Sequence, residues 1–339
     1  MDITPKPQTV YVPDAERYAS SPVEYRRCGT RGLKLSSLTL GFWWNFGEID
    51  THASCRERVL HAFDKGITTF DLANNYGPPF GAAEETFGRI MARDLRPYRH
   101  EMVITTKAGH NMWNGPYGDG SSRKMLLTSI DESLERMGLD YVDIFYTHRY
   151  DPEVPIEETA QTLVDIVRMG KALYVGISKY PADKLRQMCD YLNAANVPCL
   201  VYQSKCNMLE DTLTADHRDI LAADGMGFTA FSPLHQGILS DKYLHGIPAD
   251  SRVGLGKYIK PGDVPQELVD RLVRLDQLAR DRGETLSQLA LTWLLSRPEM
   301  TSVIIGPRTI EQMRDCIGAL DYPMLSHDEQ AAIASILAR

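Results

Sequence analysis

Four residues of the right kinds for acid–base work stand at matching places in this chain. TTFD ends in Asp71 and continues through LANNYG to Tyr76, MVITTK ends in Lys107, and VDIFYTH ends in His148. Each closes, or closely follows, a short apolar run. Taken singly, each has an ordinary explanation: an aspartate caps a turn, a lysine is solvated, a histidine sits in a wall. Together, on three neighbouring runs, they suit protonation of a carbonyl oxygen during reduction. A phenol with its usual pKa of ~10 is a poor acid at neutral pH, and an adjacent ammonium eases the transfer. Lys107 would supply that charge and Asp71 would hold it ionised in place. His148 would orient the substrate oxygen or assist the proton transfer. None of these groups can deliver hydride, so the set requires a cofactor.

The elements that would bring them together are rhythmic. Apolar runs at 38–42, 68–72, 102–106, 142–146, 173–177, 200–203, 227–231 and 302–305 alternate with amphipathic stretches. The runs are nearly continuous, as in parallel strands buried on both faces. The clearest helices are 52–65, 82–92, 123–137, 156–168 and 182–192. Ser122, Pro155 and Pro181 stand near starts, and Gly66, Gly138 and Gly170 follow ends. Eight strands each followed by a helix predict an α/β fold, a (β/α)8 TIM barrel, whose active site lies where strands end and βα-loops begin. No GxGxxG turn follows the first strand, which argues against a dinucleotide-binding open sheet. About 70 residues separate the seventh and eighth strands. They hold a loop, 233–265, and extra helices at 266–282 and 286–296, and so long a connection suggests function. We expect one domain over 1–339: an extended arm at 1–21, a barrel at 22–320 opening with a β-hairpin at 25–35, and a C-terminal helix within 321–339.

Composition narrows the function classes. There are 37 basic and 45 acidic residues among 339, a net charge of −8. No basic stripe is present, so a nucleic-acid partner is not expected, whereas a small anionic ligand is compatible. Six scattered cysteines form neither a CxxC pair nor a zinc spacing, and no metal is expected. They suggest reduced, buried thiols. The first residues lack a signal-peptide pattern, and no apolar run reaches about 18 residues. The expectation is a soluble cytoplasmic protein without a membrane partner.

The constellation Asp71, Tyr76, Lys107 and His148 on an eightfold βα rhythm resembles the aldo-keto reductases. FDLANNYG, GKALYVGISKY, FSPLHQGILSDKYL and SVIIGPRTIEQM match that family in order and spacing from about Tyr25 to Leu320. LGFWWNFG, THRYDPEVPIEET and KYLHGIPADSR look most like its bacterial L-glyceraldehyde 3-phosphate (methylglyoxal) reductase group, a branch shared with potassium-channel β subunits. The resemblance implies NADPH bound extended across the barrel mouth. By position, Ser178 and Gln203 would grip the carboxamide and Phe231 would stack on the nicotinamide, with Trp43 and Asp71 nearby. Ser232, Pro233, Leu234, Gln236 and Gly237 would wrap the pyrophosphate, with Lys242 and Arg252 as phosphate partners. Gly306, Arg308, Gln312 and Asp315 would hold the adenosine end. The residues themselves agree in part: Gly306-Pro307-Arg308 leaves a strand and opens a helix whose free N–H groups suit a phosphate. Three cations there favour NADPH, with its extra 2′-phosphate, over NADH.

The chain departs from common family residues at Lys179, Arg308 and Cys316, which bears on cofactor affinity and NADP over NAD preference. Trp43, Trp44, Phe46, Trp113 and Tyr117 fall on strand-end loops and are candidates to wall a pocket for a small carbonyl substrate. Arg149 would meet a substrate phosphate or form a structural ion pair. Met125, Met137 and Met169 read as packing. The resemblance implies NADPH-dependent reduction of small aldehydes and ketones, and its relatives suggest a homo-oligomer. An NADPH-binding, redox-sensing regulatory subunit uses the same barrel and stands as the alternative, as does a dehydrogenase running the reaction backwards.

Overall fold

A computed structural model describes residues 10–244, 246–248, 253, 254, 256 and 259–338. The chain opens with an antiparallel hairpin of β1 (Tyr25–Arg27) and β2 (Lys34–Ser36). Eight parallel strands follow: β3 (Leu38–Gly41), β4 (Thr69–Asp71), β5 (Val103–Ala108), β6 (Val142–Thr147), β7 (Ala172–Ser178), β8 (Cys199–Asn207), β10 (Gly227–Phe231) and β11 (Met300–Ile305). The two-residue β9 (Glu210–Asp211) only folds back on the end of β8. Pairing runs in sequence from β3 to β8, and β10 joins β8 to β11 while β11 returns to β3, so the sheet closes. This is the expected (β/α)8 barrel. Strands β5, β6 and β11 are buried at every position, because side chains fill the barrel on one face and meet helices on the other.

The surrounding helices are α1 (His52–Asp64), α2 (Ala82–Ile90), α3 (Arg123–Met137), α4 (Ile156–Arg168), α5 (Ala182–Ala194), α6 (Ala215–Asp224), α7 (Gln266–Arg282), α8 (Leu286–Leu295), α9 (Ile310–Gly318) and α10 (His327–Leu337). Local chemistry sets their ends. Ser122 accepts the Met125 N–H to cap α3, and Gly138 ends that helix at φ +63°, a conformation that favours glycine. Helix α2 continues into a π turn (Met91–Leu95) and a 3-10 turn (Arg96–Glu101). There buried Asp94 takes both ends of the Arg56 fork at 2.7 Å.

The hairpin closes the end of the barrel opposite the strand carboxyl ends. Its Cys28 and Leu35 pack with Val103, the first residue of β5, and with Leu200 and Val201, the second and third of β8. Its turn docks on the end of α6, where the Thr30 N–H donates to Gly225 O at 3.1 Å. A side chain at Gly29 would collide with that carbonyl. At the other end, the long connection from β10 to α7 leaves the strand through left-handed Ser232, His235 and Gln236. It then folds over Ile238, Leu239 and Tyr243, which join Leu272, Leu275, Leu286 and Leu289 in a second apolar cluster. Helix α10 adds Ile333 to that cluster.

Candidate active site

Asp71 is the last residue of β4, Lys107 the fifth of β5, and His148 the first after β6. Tyr76 sits on the β4–α2 loop, its N–H held by Ala73 O. Lys107, wholly buried, is the hub: Nζ donates to Asp71 Oδ2 at 2.6 Å, to Leu72 O at 2.7 Å and to Tyr76 Oη at 3.4 Å. The ammonium also faces two rings, 5.0 Å from Tyr76 and 5.6 Å from Tyr146. Tyr146 can lie there only because β7 has glycine opposite: a Cβ on Gly176 would fall 2.3 Å from its ring. Asp71 is fixed from its other oxygen, which accepts from Thr105 Oγ1 and from Gln203 Nε2, each at 3.0 Å. His148 stands edge-on to the Tyr76 ring, 5.8 Å between centroids. The four expected residues therefore meet in one cleft at the strand carboxyl ends.

The electrostatics differ from the simplest expectation. Burial, helped by the Asp71 charge, raises the Tyr76 phenol well above its usual pKa. The phenol is thus held protonated, and the neighbouring ammonium does not lower it on balance. Burial depresses Lys107, while the Asp71 charge and hydrogen bond oppose that shift. His148 lies well below its ordinary value because it is buried and because Lys179 and Lys107 lie close. It is a neutral imidazole at pH 7, and its buried Nδ1 has no partner among the described residues.

The cofactor candidates ring this centre unevenly. Ser178, fully buried at the end of β7, has no partner for Oγ among the described residues, and Gln203 lies opposite it in the β7–β8 register. An unsatisfied hydroxyl beside an oriented amide is a donor set that fits a carboxamide. Half-buried Phe231 ends β10, and Ser232 follows with its carbonyl held by Asn207 Nδ2 at 3.0 Å. Pro233, Leu234, Gln236 and Gly237 continue that loop, and Lys242 is exposed on a 3-10 turn (Asp241–Tyr243). Arg252 lies outside the described residues. Across the mouth, Gly306 and Arg308 precede α9. The Arg308 side chain is 65% exposed and faces Asp50 at 3.7 Å. Gln312 caps the Arg308 N–H through Oε1 at 2.8 Å, and Asp315 accepts from Thr285 Oγ1 at 3.0 Å. Both thus make structural hydrogen bonds at the end expected to meet adenosine.

Other candidates fare differently. Trp43 and Trp44 are half-buried at the mouth with rings 5.9 Å apart, and Trp113 and Tyr117 are exposed. Phe46 is not a pocket wall: it is fully buried, packed 4.1 Å from the Phe42 ring beneath the Arg58 guanidinium. Arg149 forms the ion pair, bonded to both oxygens of Asp119 at 2.7 Å and donating to Gly109 O. Met125 and Met137 are core, whereas Met169 is exposed at the end of α4. All six cysteines are buried and unpaired. Two residues beside His148 escaped the sequence reading: His110, after β5, and the side chain of Lys179, after β7. Of the three departures from common family residues, the one at Lys179 pointed toward them.

Comparison with known proteins agrees with this architecture. The chain is 46% identical over 329 residues to an L-glyceraldehyde 3-phosphate reductase of Escherichia coli O157:H7, covering 96% of this chain and 94% of that protein. It is 33% identical over 325 residues to a probable voltage-gated potassium channel subunit beta of Oryza sativa subsp. japonica, covering 93% and 97%. A family model described as Aldo/keto reductase family matches residues 37–338. The chain belongs to the aldo/keto reductase family of oxidoreductases.

Proposed function

We propose that this protein reduces small aldehydes and ketones with NADPH, on substrates of the L-glyceraldehyde 3-phosphate and methylglyoxal kind, with Tyr76 as proton donor. The observation that carries the reading is the Lys107 ammonium, 2.6 Å from Asp71 and 3.4 Å from the Tyr76 hydroxyl. NADPH, when bound, supplies the hydride. Tyr76 remains protonated until a carbonyl oxygen gains negative charge, and then gives up its proton. Lys107 stabilises the phenolate so formed, in a site where low polarity strengthens that attraction. Asp71 keeps the ammonium charged and aimed, and Thr105 and Gln203 keep Asp71 from rotating. His148, being neutral, orients the carbonyl oxygen by hydrogen bonding and does not act as the acid.

Ser178 and Gln203 would hold the carboxamide, Phe231 the nicotinamide face, and the 232–237 loop with Lys242 the phosphates. Gly306, Arg308, Gln312 and Asp315 would take the adenosine end, with Arg308 meeting the 2′-phosphate. In this reading the protein is a cytoplasmic, one-domain barrel that associates with its own copies, which light scattering after size exclusion tests. The decisive assay is steady-state reduction of methylglyoxal or 4-nitrobenzaldehyde with NADPH and with NADH. Fast multiple turnover, better with NADPH, is expected. The 33% identity to potassium-channel β-subunit relatives favours one second reading, a redox-sensing subunit. It predicts near-stoichiometric cofactor oxidation in the same assay.

A further inference from the structure

Beside the proposed catalytic residues lies a cation that lacks a counter-ion among the described residues. Lys179 follows β7 in the left-handed region at φ +55°, anchored by its N–H on Gln203 O at 3.1 Å. This turn sends Nζ to His110 Nε2, 2.7 Å away, and to 6.0 Å from the Phe231 ring. His110 arrives from β5 across Gly109, at φ +127°, and stands edge-on to His148 with centroids 4.4 Å apart. Tyr76, His148, His110 and Lys179 thus form a continuous row from the proton donor outward.

Charges along this row are unequal. Lys107 has Asp71, and Arg149 has both oxygens of Asp119. Among the described residues, Lys179 has no carboxylate within ion-pairing distance, and its only close partner is an imidazole. An ammonium offers donors alone, so His110 accepts at Nε2 and carries its proton on Nδ1. That N–H makes no hydrogen bond among the described residues. Burial, Lys107 and Arg149 together lower Lys179 to about 8, with no carboxylate holding it up. A half-buried cation beside a free N–H is an unfilled anion seat.

We propose that Lys179 and His110 form the anion subsite of the substrate pocket, seating a phosphate or carboxylate borne by the same molecule whose carbonyl meets Tyr76 and His148. This rests on the reductase reading and adds to it the residues that select, among carbonyl compounds, those with an anionic group a few atoms from the reacting carbon. Lys179 acts here in specificity, and the chemistry stays with Tyr76.

The experiment compares kcat/KM for glyceraldehyde 3-phosphate, succinic semialdehyde and uncharged glyceraldehyde in wild type, Lys179→Met, Lys179→Arg and His110→Gln. Lys179→Met should lower the ratio of glyceraldehyde 3-phosphate to glyceraldehyde about tenfold, mostly through KM, and Lys179→Arg should restore most of it. A larger fall for glyceraldehyde 3-phosphate than for succinic semialdehyde identifies phosphate as the seated group, and the reverse identifies carboxylate. Inorganic phosphate should inhibit wild type competitively and Lys179→Met weakly. NADPH affinity, read by fluorescence, should stay within about threefold. The proposal is overturned if the charged-to-neutral ratio is unchanged in Lys179→Met, or if NADPH affinity falls in step with turnover on all three substrates. Absence of reduction of any aldehyde by wild type would instead sink the reductase reading.

Discussion

The two sides of the barrel mouth are built differently. On the β4–β6 side, Asp71, Lys107 and His148 hang from strand ends and are almost inaccessible, and three donors hold Asp71 while three acceptors engage Lys107. On the β10–β11 side, the cofactor candidates lie on a loop that begins with left-handed residues and on the exposed approach to α9. Proton transfer needs a fixed geometry, whereas gripping a large ligand tolerates, and benefits from, side chains that adjust on binding. Substitutions on the first side should therefore cost chemistry and stability together. Those on the second should cost affinity alone.

The sharpest way to break that contrast is Tyr76→Phe. Removing the proposed proton donor should cut kcat about a thousandfold while NADPH affinity, by fluorescence titration, changes little. Retained turnover would remove Tyr76 from its role. Lys107→Met leaves Asp71 buried without its cation. Beyond lost turnover, chemical denaturation should show about 3–5 kcal/mol less stability. Gly176→Ala touches no reacting group, yet its methyl meets the Tyr146 ring, and overpacking of this kind costs ~1–3 kcal/mol. Arg308→Ala should weaken NADPH about tenfold, leave NADH nearly unchanged and barely move the melting temperature. A loss of stability matching that of Gly176→Ala would erase the distinction between the two sides.

The smallest expected effect is in pH. Burial, with Lys179 and Arg149 nearby, lowers His110 from 6.5 to about 4. The unfolded chain therefore binds more protons between those values, so this contribution to stability is complete above pH 6.5 and is lost as pH falls toward 4. His110→Gln should flatten the acid side of a plot of melting temperature against pH by about 2 °C.

Much of this was legible because barrel strands announce themselves. The run at 142–146 became Val142–Thr147 and that at 302–305 became Met300–Ile305, and strand-end positions then delivered Asp71, Lys107 and His148, with Tyr76 on the loop after β4, without any side-chain coordinates. Helix α6 was not singled out, since it buries only His217 and Leu221 and so has almost no apolar face to read. The π and 3-10 turns after α2 were hidden for another reason: no periodic pattern marks them, and the Arg56–Asp94 pair at the π turn joins residues 38 apart. Phe46 misled because an aromatic residue on a strand-end loop looks the same whether it turns outward or beneath an arginine. The His110–Lys179 contact joins residues 69 apart through two left-handed turns, which spacing cannot reveal.

The hairpin stopper covers the foot of the barrel, so the buried acid–base cluster stands toward the opposite end, where the strands finish. Under the proposed reduction, hydride donor and carbonyl compound would share that end, and the guest lodged deeper would enter first and depart last. On that reading architecture would order the visits before any side chain expressed a preference, and exit of the deeper guest would throttle speed.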